Sequence, residues 1–479
     1  MPELTPIQHR LSKRTQGLLN HPQGTGNYFT FKTAIDILGL DWKAVAPGGI
    51  HAVTDASYFD MGYMANHIGP PPTALDALRE ASRHEILAVY PPNCLLELKD
   101  LVARLKFGRT LGADFEVLGV EGALGGIRYT YLSFLDPSDE VIVTDPGYFH
   151  FIPAAELCGA KVVPIALTEA NGYRLRPEEI ESVLTPRTKM IVVCDPINPF
   201  GTVQTRYELL ALAALARERG IIILNNITHN THQTNPDAVH IPMASLHGPG
   251  CNMDHVISVS GVSKGYGMPA LRVGFMAGHP DLIRGAEITK IHINYSGQYA
   301  ALAAMQDHDY LARSTAIIRR NYAHLRETID ATPRVTLSVR PDYGFCMIMD
   351  VAGTGVTAQE ITVGLLKHRI AVIPGDGLGD VKCADYVRLN YSHPDIACFE
   401  QFRAALPRAI AEAQEGRYAA AVDAFFARVG TARGRAIRGR LAERRNPWGA
   451  WRRVGTAATP AGRHPNPTRQ RGPLASASG

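Results

Sequence analysis

Seven short apolar runs separated by helix-like stretches constrain the fold more than any other feature of this sequence. Strands that alternate with helices pair in parallel, and runs that are apolar throughout are covered on both faces. The pattern therefore predicts an α/β fold, a three-layer sandwich around a mostly parallel seven-stranded sheet. The runs are rich in β-branched residues and lie at Phe115–Val120, Val141–Thr144, Val162–Ile165, Met190–Cys194, Ile221–Leu224, Val256–Val259 and Val273–Met276.

The order of these patterns divides the 479 residues into four segments. Residues 1–75 are expected to form an N-terminal arm with a segment that packs on a smaller domain, and residues 76–304, which hold the seven runs, form a large domain. Residues 305–415 combine helical stretches at Ala316–Ile329 and Ala358–His368 with short strands, which predicts a smaller α+β domain. Residues 416–479 are expected to be helical at first and then a basic, disordered tail.

The formal net charge of +4 is distributed unevenly along the chain. Eleven arginines and a single acidic residue, Glu443, follow Thr431, so this tail carries +10 and the rest of the chain −6. Such a tail is typical of either a solvated extension or a contact to nucleic acid. Its prolines and its Gly/Ser/Ala ending favour the solvated extension, and nucleic acid is not expected as a partner. Removal of residues 431–479 is then expected to leave activity unchanged.

The cysteines and the N-terminus indicate a compartment. None of the seven cysteines forms a Cys-x-x-Cys pair, which favours reduced thiols over disulfides or a zinc site. The N-terminus has no apolar signal region, and no apolar run is long enough to cross a bilayer. These features predict a cytoplasmic protein without a membrane or a metal.

Lys264 follows the sixth run, in a glycine-rich loop, with Arg272 eight residues on. A lysine at the mouth of a buried strand is a candidate Schiff-base nucleophile, because burial and a neighbouring cation both lower its pKa. A surface lysine in a turn is the alternative, so the assignment depends on other residues.

Those other residues also follow strands. Because ligands of open α/β sheets bind beyond the carboxyl ends of the strands, groups in these positions are expected to share one crevice. A glycine-rich turn that opens a helix suits a phosphate, and an aromatic side chain can stack on a flat ligand. The residues are Gly122, Ala123 and Leu124 after the first run, Tyr148 after the second, Asn198 after the fourth, and Asn226 and His229 after the fifth. Together they suit a phosphorylated aromatic aldehyde.

With these residues assembled, the chain resembles the fold-type I pyridoxal 5′-phosphate (PLP)-dependent enzymes of the class I/II aminotransferase group over roughly residues 60–412. The resemblance implies that Lys264 forms the aldimine with PLP and that Arg272 binds its phosphate. It also implies that Tyr148 stacks on the ring and that Asn198 contacts the ring hydroxyl. The remaining implied cofactor contacts are Gly122, Ala123, Leu124, Ser263, Asn226 and His229.

Two further residues acquire roles from the same resemblance. Arg388, in Tyr-Val-Arg-Leu, resembles the arginine that holds the substrate α-carboxylate, which suits a bidentate guanidinium. A structural salt bridge is the alternative for Arg388. Tyr90 resembles a tyrosine that reaches the phosphate of a neighbouring subunit, so the partners implied are an amino acid substrate and a second copy of the chain in a homodimer.

The chain departs from the family pattern where the ring nitrogen should meet an aspartate. Asn226 and His229 stand where an aspartate and a tyrosine are expected, and a shift of one residue would place Asn225 and Thr228 there instead. A neutral amide does not keep the ring nitrogen protonated, so the ring becomes a weaker electron sink. Gly261 also replaces a serine. His229 and His232 form a His-x-x-His pair, but with no third ligand they are not expected to hold a metal.

Three functions remain open from the sequence. An aminotransferase-like enzyme that acts on the α-amino group of an amino acid is favoured. The alternative is a PLP enzyme of specialised metabolism that performs elimination, ring-forming replacement or oxidation on an amino acid. Its substrate could resemble S-adenosylmethionine. A non-catalytic scaffold with a nucleic-acid-binding tail is disfavoured, because Lys264, Arg272, Asn198 and Arg388 are all retained.

Overall fold

The computed structural model describes residues 5–19, 21–22, 27–45, 57–88, 90, 92–246, 253–288, 290 and 292–445. No helix among them is long and apolar enough to cross a membrane. The strands are Phe59–Asp60 (β1), Glu116–Val120 (β2), Glu140–Asp145 (β3), Lys161–Ala166 (β4), Thr188–Cys194 (β5), Ile222–Asn226 (β6), Val256–Gly261 (β7), Gly274–Gly278 (β8), Thr336–Leu337 (β9), Cys346–Asp350 (β10), Ile370–Ala371 (β11), Ile373–Pro374 (β12) and Tyr386–Asn390 (β13).

The α-helices connect these strands and cover their faces. They are Lys13–Leu19 (α1), Phe31–Ile37 (α2), Trp42–Val45 (α3), Pro72–Glu80 (α4), His84–Leu87 (α5), Leu96–Phe107 (α6), Gly122–Phe134 (α7), Phe151–Leu157 (α8), Pro177–Val183 (α9), Arg206–Glu218 (α10), Pro280–Glu287 (α11), Tyr295–Gln306 (α12), His308–Asp330 (α13), Ala358–Lys367 (α14), Ala397–Gln414 (α15), Ala419–Val429 (α16) and Ala432–Arg445 (α17).

The seven predicted strands form one sheet in the order β2-β8-β7-β6-β5-β3-β4. All its pairings are parallel except the two made by β8, which runs antiparallel to β2 and β7. The prediction of a mostly parallel seven-stranded sheet is therefore confirmed. Since β2, β3, β5, β6 and β7 run in one direction, the loops that follow them leave the sheet at one edge.

Both faces of this sheet are buried, as its continuously apolar strands predict. Along β3, Val141 and Val143 belong to the core that includes Phe151 of α8. Ile142, between them, belongs to a separate core with Leu212 of α10. Successive strand residues point to opposite faces, so helices lie on both sides and the three-layer sandwich is confirmed.

A smaller unit is built around the antiparallel sheet β12-β13-β10-β9 and the parallel pair β1-β11. Its core includes Leu389 of β13 and Phe402 of α15. Phe29 and Met61, from the N-terminal part of the chain, are buried in the same core. The N-terminal residues thereby reach the small unit, and the loop that follows β1 leads toward the strand-end edge of the large sheet.

The disorder expected from Thr431 onward is wrong for residues 432–445, which form α17. Ile437 and Leu441 are 0% and 1% exposed and belong to the core of the small unit, together with Phe426 of α16. The two aliphatic side chains lie four residues apart, on one face of the helix. Their burial stabilises an arginine-rich segment whose composition alone favours disorder. Residues 446–479 lie outside the described residues.

Candidate active site

Lys264 lies in the loop that follows β7, at the carboxyl edge of the sheet. Its Nζ donates a hydrogen bond to the carbonyl of Met64, and its own carbonyl accepts one of 2.9 Å from Asn66 Nδ2. Burial, followed by the positive charges of Arg388 and Arg272, lowers the pKa of the Lys264 amine to about 8. A substantial fraction of the amine is therefore neutral, and nucleophilic, close to physiological pH.

Arg272 lies beside the first turn of α7. Its guanidinium donates hydrogen bonds to the carbonyls of Glu121 (2.9 Å) and Pro269 (2.8 Å). Gly122 has a φ of +74°, and a Cβ there would lie 2.5 Å from Arg272 Nη2. Only glycine allows this approach. A Cβ on Gly274 would meet the Gly122 backbone at 2.4 Å.

The N-terminal turn of α7 thus offers amide groups next to a guanidinium. The first N–H groups of a helix, here those of Gly122, Ala123 and Leu124, have no acceptor inside the helix, and the helix dipole favours an anion there. The arrangement has the chemistry of a phosphate site.

Tyr148 is half-buried in the turn after β3. Its ring centroid lies 5.3 Å from that of Phe151, with an interplanar angle of 87°. Burial raises the pKa of the Tyr148 hydroxyl to about 12, so the phenol stays neutral. The turn is fixed by Asp145, whose Oδ1 accepts a hydrogen bond of 2.8 Å from the backbone N–H of Asp380.

Arg388 comes from β13 of the small unit and is 7% exposed. Its Nη1 donates to Asn198 Oδ1 (3.3 Å) and its Nη2 to the carbonyl of Gly62 (2.9 Å), while its buried Nε has no partner among the residues that the structure describes. Asn198 lies in the turn after β5, so this contact joins the two units. The salt bridge considered for Arg388 is not formed within the described part of the chain. The guanidinium is available for a carboxylate from outside.

The two asparagines at the end of β6 have different surroundings. Asn225 is held by structural bonds: its Nδ2 donates to the Val193 carbonyl, and its Oδ1 accepts from Met243 N and Ser258 Oγ. Asn226 points to the opposite face, where Thr228 donates both its N–H (3.0 Å) and its hydroxyl to Asn226 Oδ1.

A backbone N–H can only donate, so the atom facing Thr228 is the oxygen of Asn226, and Nδ2 points away from it. Among the described residues this Nδ2 has no hydrogen-bond partner. Of the two asparagines that could stand in the aspartate position, Asn226 is therefore the one with a polar group available at the strand end. That group is a hydrogen-bond donor.

His229 and His232 differ in their partners. Burial, followed by the charges of Lys264 and Arg388, lowers the pKa of His229 to about 3, and no described residue forms a hydrogen bond with its buried Nδ1. His232 Nε2 lies 2.9 Å from the carbonyl of Gly265, next to Lys264, and its Nδ1 lies 3.1 Å from Thr315 Oγ1. We read His232 as a structural support of the Lys264 loop and His229 as a neutral imidazole of the site.

Two sequence-based candidates, Tyr90 and Ser263, lie apart from these contacts, as does Phe200 in the turn that carries Asn198. Tyr90 is 89% exposed and its ring lies 5.4 Å from that of His292. Ser263 is buried immediately before Lys264. Phe200, which replaces a threonine of the family pattern, is buried against Tyr173 with ring centroids 4.4 Å apart.

Sequence reasoning missed the N-terminal carbonyls of the site. Met64 accepts from Lys264, and Gly62 accepts from Arg388. A Cβ on Gly62 would lie 2.8 Å from the Val372 carbonyl carbon, so this glycine permits a close approach to the small unit. Backbone carbonyls carry no side-chain signal. Only the glycine content of this segment hinted at it.

Lys264, Arg272 and Arg388 form no ion pair within the described part of the chain, and their hydrogen bonds go to carbonyl and amide oxygens. Three cations without a carboxylate fit a ligand set that is itself anionic. A phosphate at Arg272 and a carboxylate at Arg388, on either side of the nucleophilic Lys264, match that requirement. The residues present therefore fit PLP and an amino acid.

Comparisons with known proteins agree with this fit. The family model "Aminotransferase class I and II" matches residues 59–406. The aspartate aminotransferase of Pyrococcus abyssi is 28% identical over 335 residues, which are 67% of this chain and 83% of the relative. The aromatic-amino-acid aminotransferase 2 of Thermococcus litoralis is 26% identical over 383 residues, 76% and 95% of the two chains.

The fold is shared with solved structures. A crystal structure of an aromatic aminotransferase from Pyrococcus horikoshii superposes with a TM-score of 0.67 at 24% identity and covers 76% of this chain and 97% of its own. The aspartate aminotransferase of Thermus thermophilus has the same TM-score at 23% identity and covers 83% and 98%. This chain belongs to the class I and II aminotransferase family and is a PLP-dependent transferase of fold type I.

Proposed function

We propose that this enzyme exchanges the α-amino group of an amino acid for the oxo group of a 2-oxo acid, with Lys264 as the residue that binds PLP covalently. The observation that carries the proposal is the combination of Lys264, whose pKa is about 8, with the buried Arg388, which has no carboxylate partner. One group suits an aldehyde and the other a carboxylate. With PLP bound at Lys264, the substrate amino group would take the place of Lys264 on the aldehyde carbon, and Arg388 would hold the substrate carboxylate.

The other residues hold the cofactor in this proposal. Arg272 and the amides of Gly122, Ala123 and Leu124 bind its phosphate, Tyr148 covers the ring, and Ser263 lies beside the phosphate. Asn198, whose Oδ1 already accepts from Arg388, has its Nδ2 for the ring hydroxyl. PLP when bound supplies an aldehyde for amino groups and a ring that withdraws electrons from the α-carbon.

Lys264 also moves protons. With a pKa of about 8, its amine can take a proton from the α-carbon of the substrate and return it near neutral pH. His229 stays neutral at these pH values, because burial and the neighbouring cations lower its pKa to about 3. It accepts or donates hydrogen bonds without adding a fourth positive charge.

A change of Lys264 to alanine is expected to abolish the covalent attachment of PLP, because Lys264 is the lysine in the loop that follows β7. Borohydride reduction followed by mass spectrometry measures the adduct. Lys106→Met is the matched control, since Lys106 is a second lysine whose pKa burial lowers to about 8, at the end of α6. A persistent adduct in Lys264→Ala, or its loss in the control, would show that the lysine is misassigned.

The rate at which PLP becomes covalently attached to the cofactor-free protein is expected to rise with pH and to be half-maximal near pH 8. Lys264 reacts only as the neutral amine, and its lowered pKa brings that form down from the range of an ordinary lysine, near 10.5. Arg388→Met removes a cation that lowers this pKa, so the midpoint should move to higher pH. Arg403→Met, at an exposed position on α15, should leave it in place. A midpoint above pH 10 in the unaltered protein contradicts the assignment.

Asn226 favours a second candidate function, the elimination, replacement or oxidation chemistry of a PLP enzyme that does not transaminate. Its free Nδ2 is a donor, which pairs with an unprotonated ring nitrogen, whereas an aspartate at this position would hold the proton on the ring. An unprotonated ring withdraws electrons less strongly. Transamination depends on that withdrawal, so the substitution is expected to slow it.

Asn226→Asp is expected to protonate the ring nitrogen and to accelerate amino-group exchange about tenfold, since an adjacent opposite charge shifts a pKa by about 1–3 units. Nitrogen-15 NMR of labelled PLP reports the protonation state independently of activity. A panel of amino acids and 2-oxo acids measures the exchange. If the unaltered protein exchanges with none of the pairs while holding PLP covalently, the transaminase proposal fails and the second candidate stands.

We further propose a cytoplasmic homodimer in which Tyr90 contacts the phosphate bound by the partner. The 89% exposure of Tyr90 and the six free cysteines of the described residues support this proposal. Tyr90→Phe should weaken PLP binding, and mixing it with inactive Lys264→Ala should restore activity, because one site of each hybrid dimer carries both native residues. Absence of any recovery in verified hybrids would place Tyr90 outside the partner's site.

A further inference from the structure

The loop 375–381, between β12 and β13, is fastened to α17. Arg433, in the first turn of α17, pairs through Nε with Asp380 Oδ1 and donates from Nη1 to the carbonyl of Asp376 (2.8 Å). The side chain of Arg433 is 6% exposed and that of Asp380 65% exposed. The guanidinium is thus almost fully buried, and the carboxylate with which it pairs lies in this loop.

The same loop is hydrogen-bonded to the turn that carries Tyr148. Asp145 Oδ1 accepts from the N–H groups of Asp380 (2.8 Å) and Val381 (3.3 Å), and Gly147 donates to the Leu378 carbonyl (3.0 Å). The contact leaves no free space, because a Cβ on Gly379 would fall 1.8 Å from Asp145 Oδ1. Asp380 therefore joins α17 through its side chain and the Tyr148 turn through its backbone.

The role of α17 in covering the core of the small unit does not explain why Arg433 bonds to loop 375–381. Ile437 and Leu441 already bury the apolar face of α17, and Arg444 forms an ion pair with the buried Glu360 of α14. These contacts hold the helix without Arg433. The family match ends at residue 406, so α17 lies outside the matched segment.

We propose that α17 clamps loop 375–381 against the Tyr148 turn and that Arg433 is a positioning residue of the cofactor site. The inference rests on the proposed role of Tyr148 as the residue that covers the PLP ring. With Arg433 in place, the loop holds the Asp145 carboxylate and keeps the turn in its binding conformation before the cofactor arrives. On this proposal α17 contributes to cofactor binding. Removal of residues 431–479 is then expected to weaken PLP binding, in place of the sequence-based expectation that it leaves activity unchanged.

Arg433→Met tests the clamp, because it keeps the length and the packing of the side chain but removes both bonds to the loop. We expect the dissociation constant of PLP, measured by absorbance titration of the cofactor-free protein, to rise about tenfold, within the usual range of coupling between sites. Hydrogen exchange of residues 145–151 in the cofactor-free protein should accelerate. Arg438→Met is the matched control: Arg438 lies on the same helix but pairs with Asp423 of α16, away from the loop.

Asp380→Asn is the second variant, needed if Arg433→Met fails to fold. It removes the charge of the ion pair and keeps the backbone bonds to Asp145, so it should shift both measurements in the same direction. Unchanged PLP affinity and unchanged exchange in a folded variant overturn the clamp. If exchange accelerates while the unaltered protein itself binds no PLP, the proposed function fails and the mechanical link stands.

Discussion

The active-site region depends on holding three cations that form no ion pair with any residue the structure describes. Lys264, Arg272 and Arg388 each hydrogen-bond to neutral oxygens, and burial, followed by the charges of the two arginines, lowers the pKa of Lys264. Like charges in a partly buried site repel one another, so the surrounding fold must hold them. The seven-stranded sheet anchors two of them at its carboxyl edge, and the small unit brings the third.

The strands and their chemistry were predictable because both signals are local. A buried parallel strand is apolar along its whole length, and the residues that follow such strands meet at one edge whatever the details of packing. This reasoning found the seven strands and grouped Lys264 with the other residues that follow them, whereas the role of Arg388 came only from the resemblance to the family. It did not find the carbonyls of Gly62 and Met64, because a backbone acceptor leaves no trace in the sequence.

The C-terminal extension shows where local composition misleads. Eleven arginines with one acidic residue suggest a solvated tail, yet Arg433, Arg440 and Arg444 meet Asp380, Asp385 and Glu360, all more than fifty residues earlier. Charge balance over a window cannot detect partners at that distance. The better indication was the pair Ile437 and Leu441, whose spacing of four residues is that of a helix face. The charge count takes no account of this apolar pair.

The departures around the ring nitrogen have a common physical origin. The Oδ1 of Asn226 accepts two hydrogen bonds from Thr228. Asn226 therefore offers a ligand only its Nδ2, a donor, because of a neighbour two residues away. Burial, and then the charges of Lys264 and Arg388, lower the pKa of His229 and keep its imidazole neutral. Each group therefore presents a property that its residue type alone does not specify, and the reaction of this family member depends on these local contacts.

Asp376 has a consequence for the order in which the protein is completed during synthesis. Its carboxylate accepts from the N–H of Phe29 and its carbonyl accepts from Arg433, so an early and a late segment of the chain meet at one residue. On the ribosome, Arg433 emerges tens of seconds after the Tyr148 turn at usual translation rates. The large sheet can form before then, but the loop beside its active edge gains its last contacts only after α17 has been synthesised.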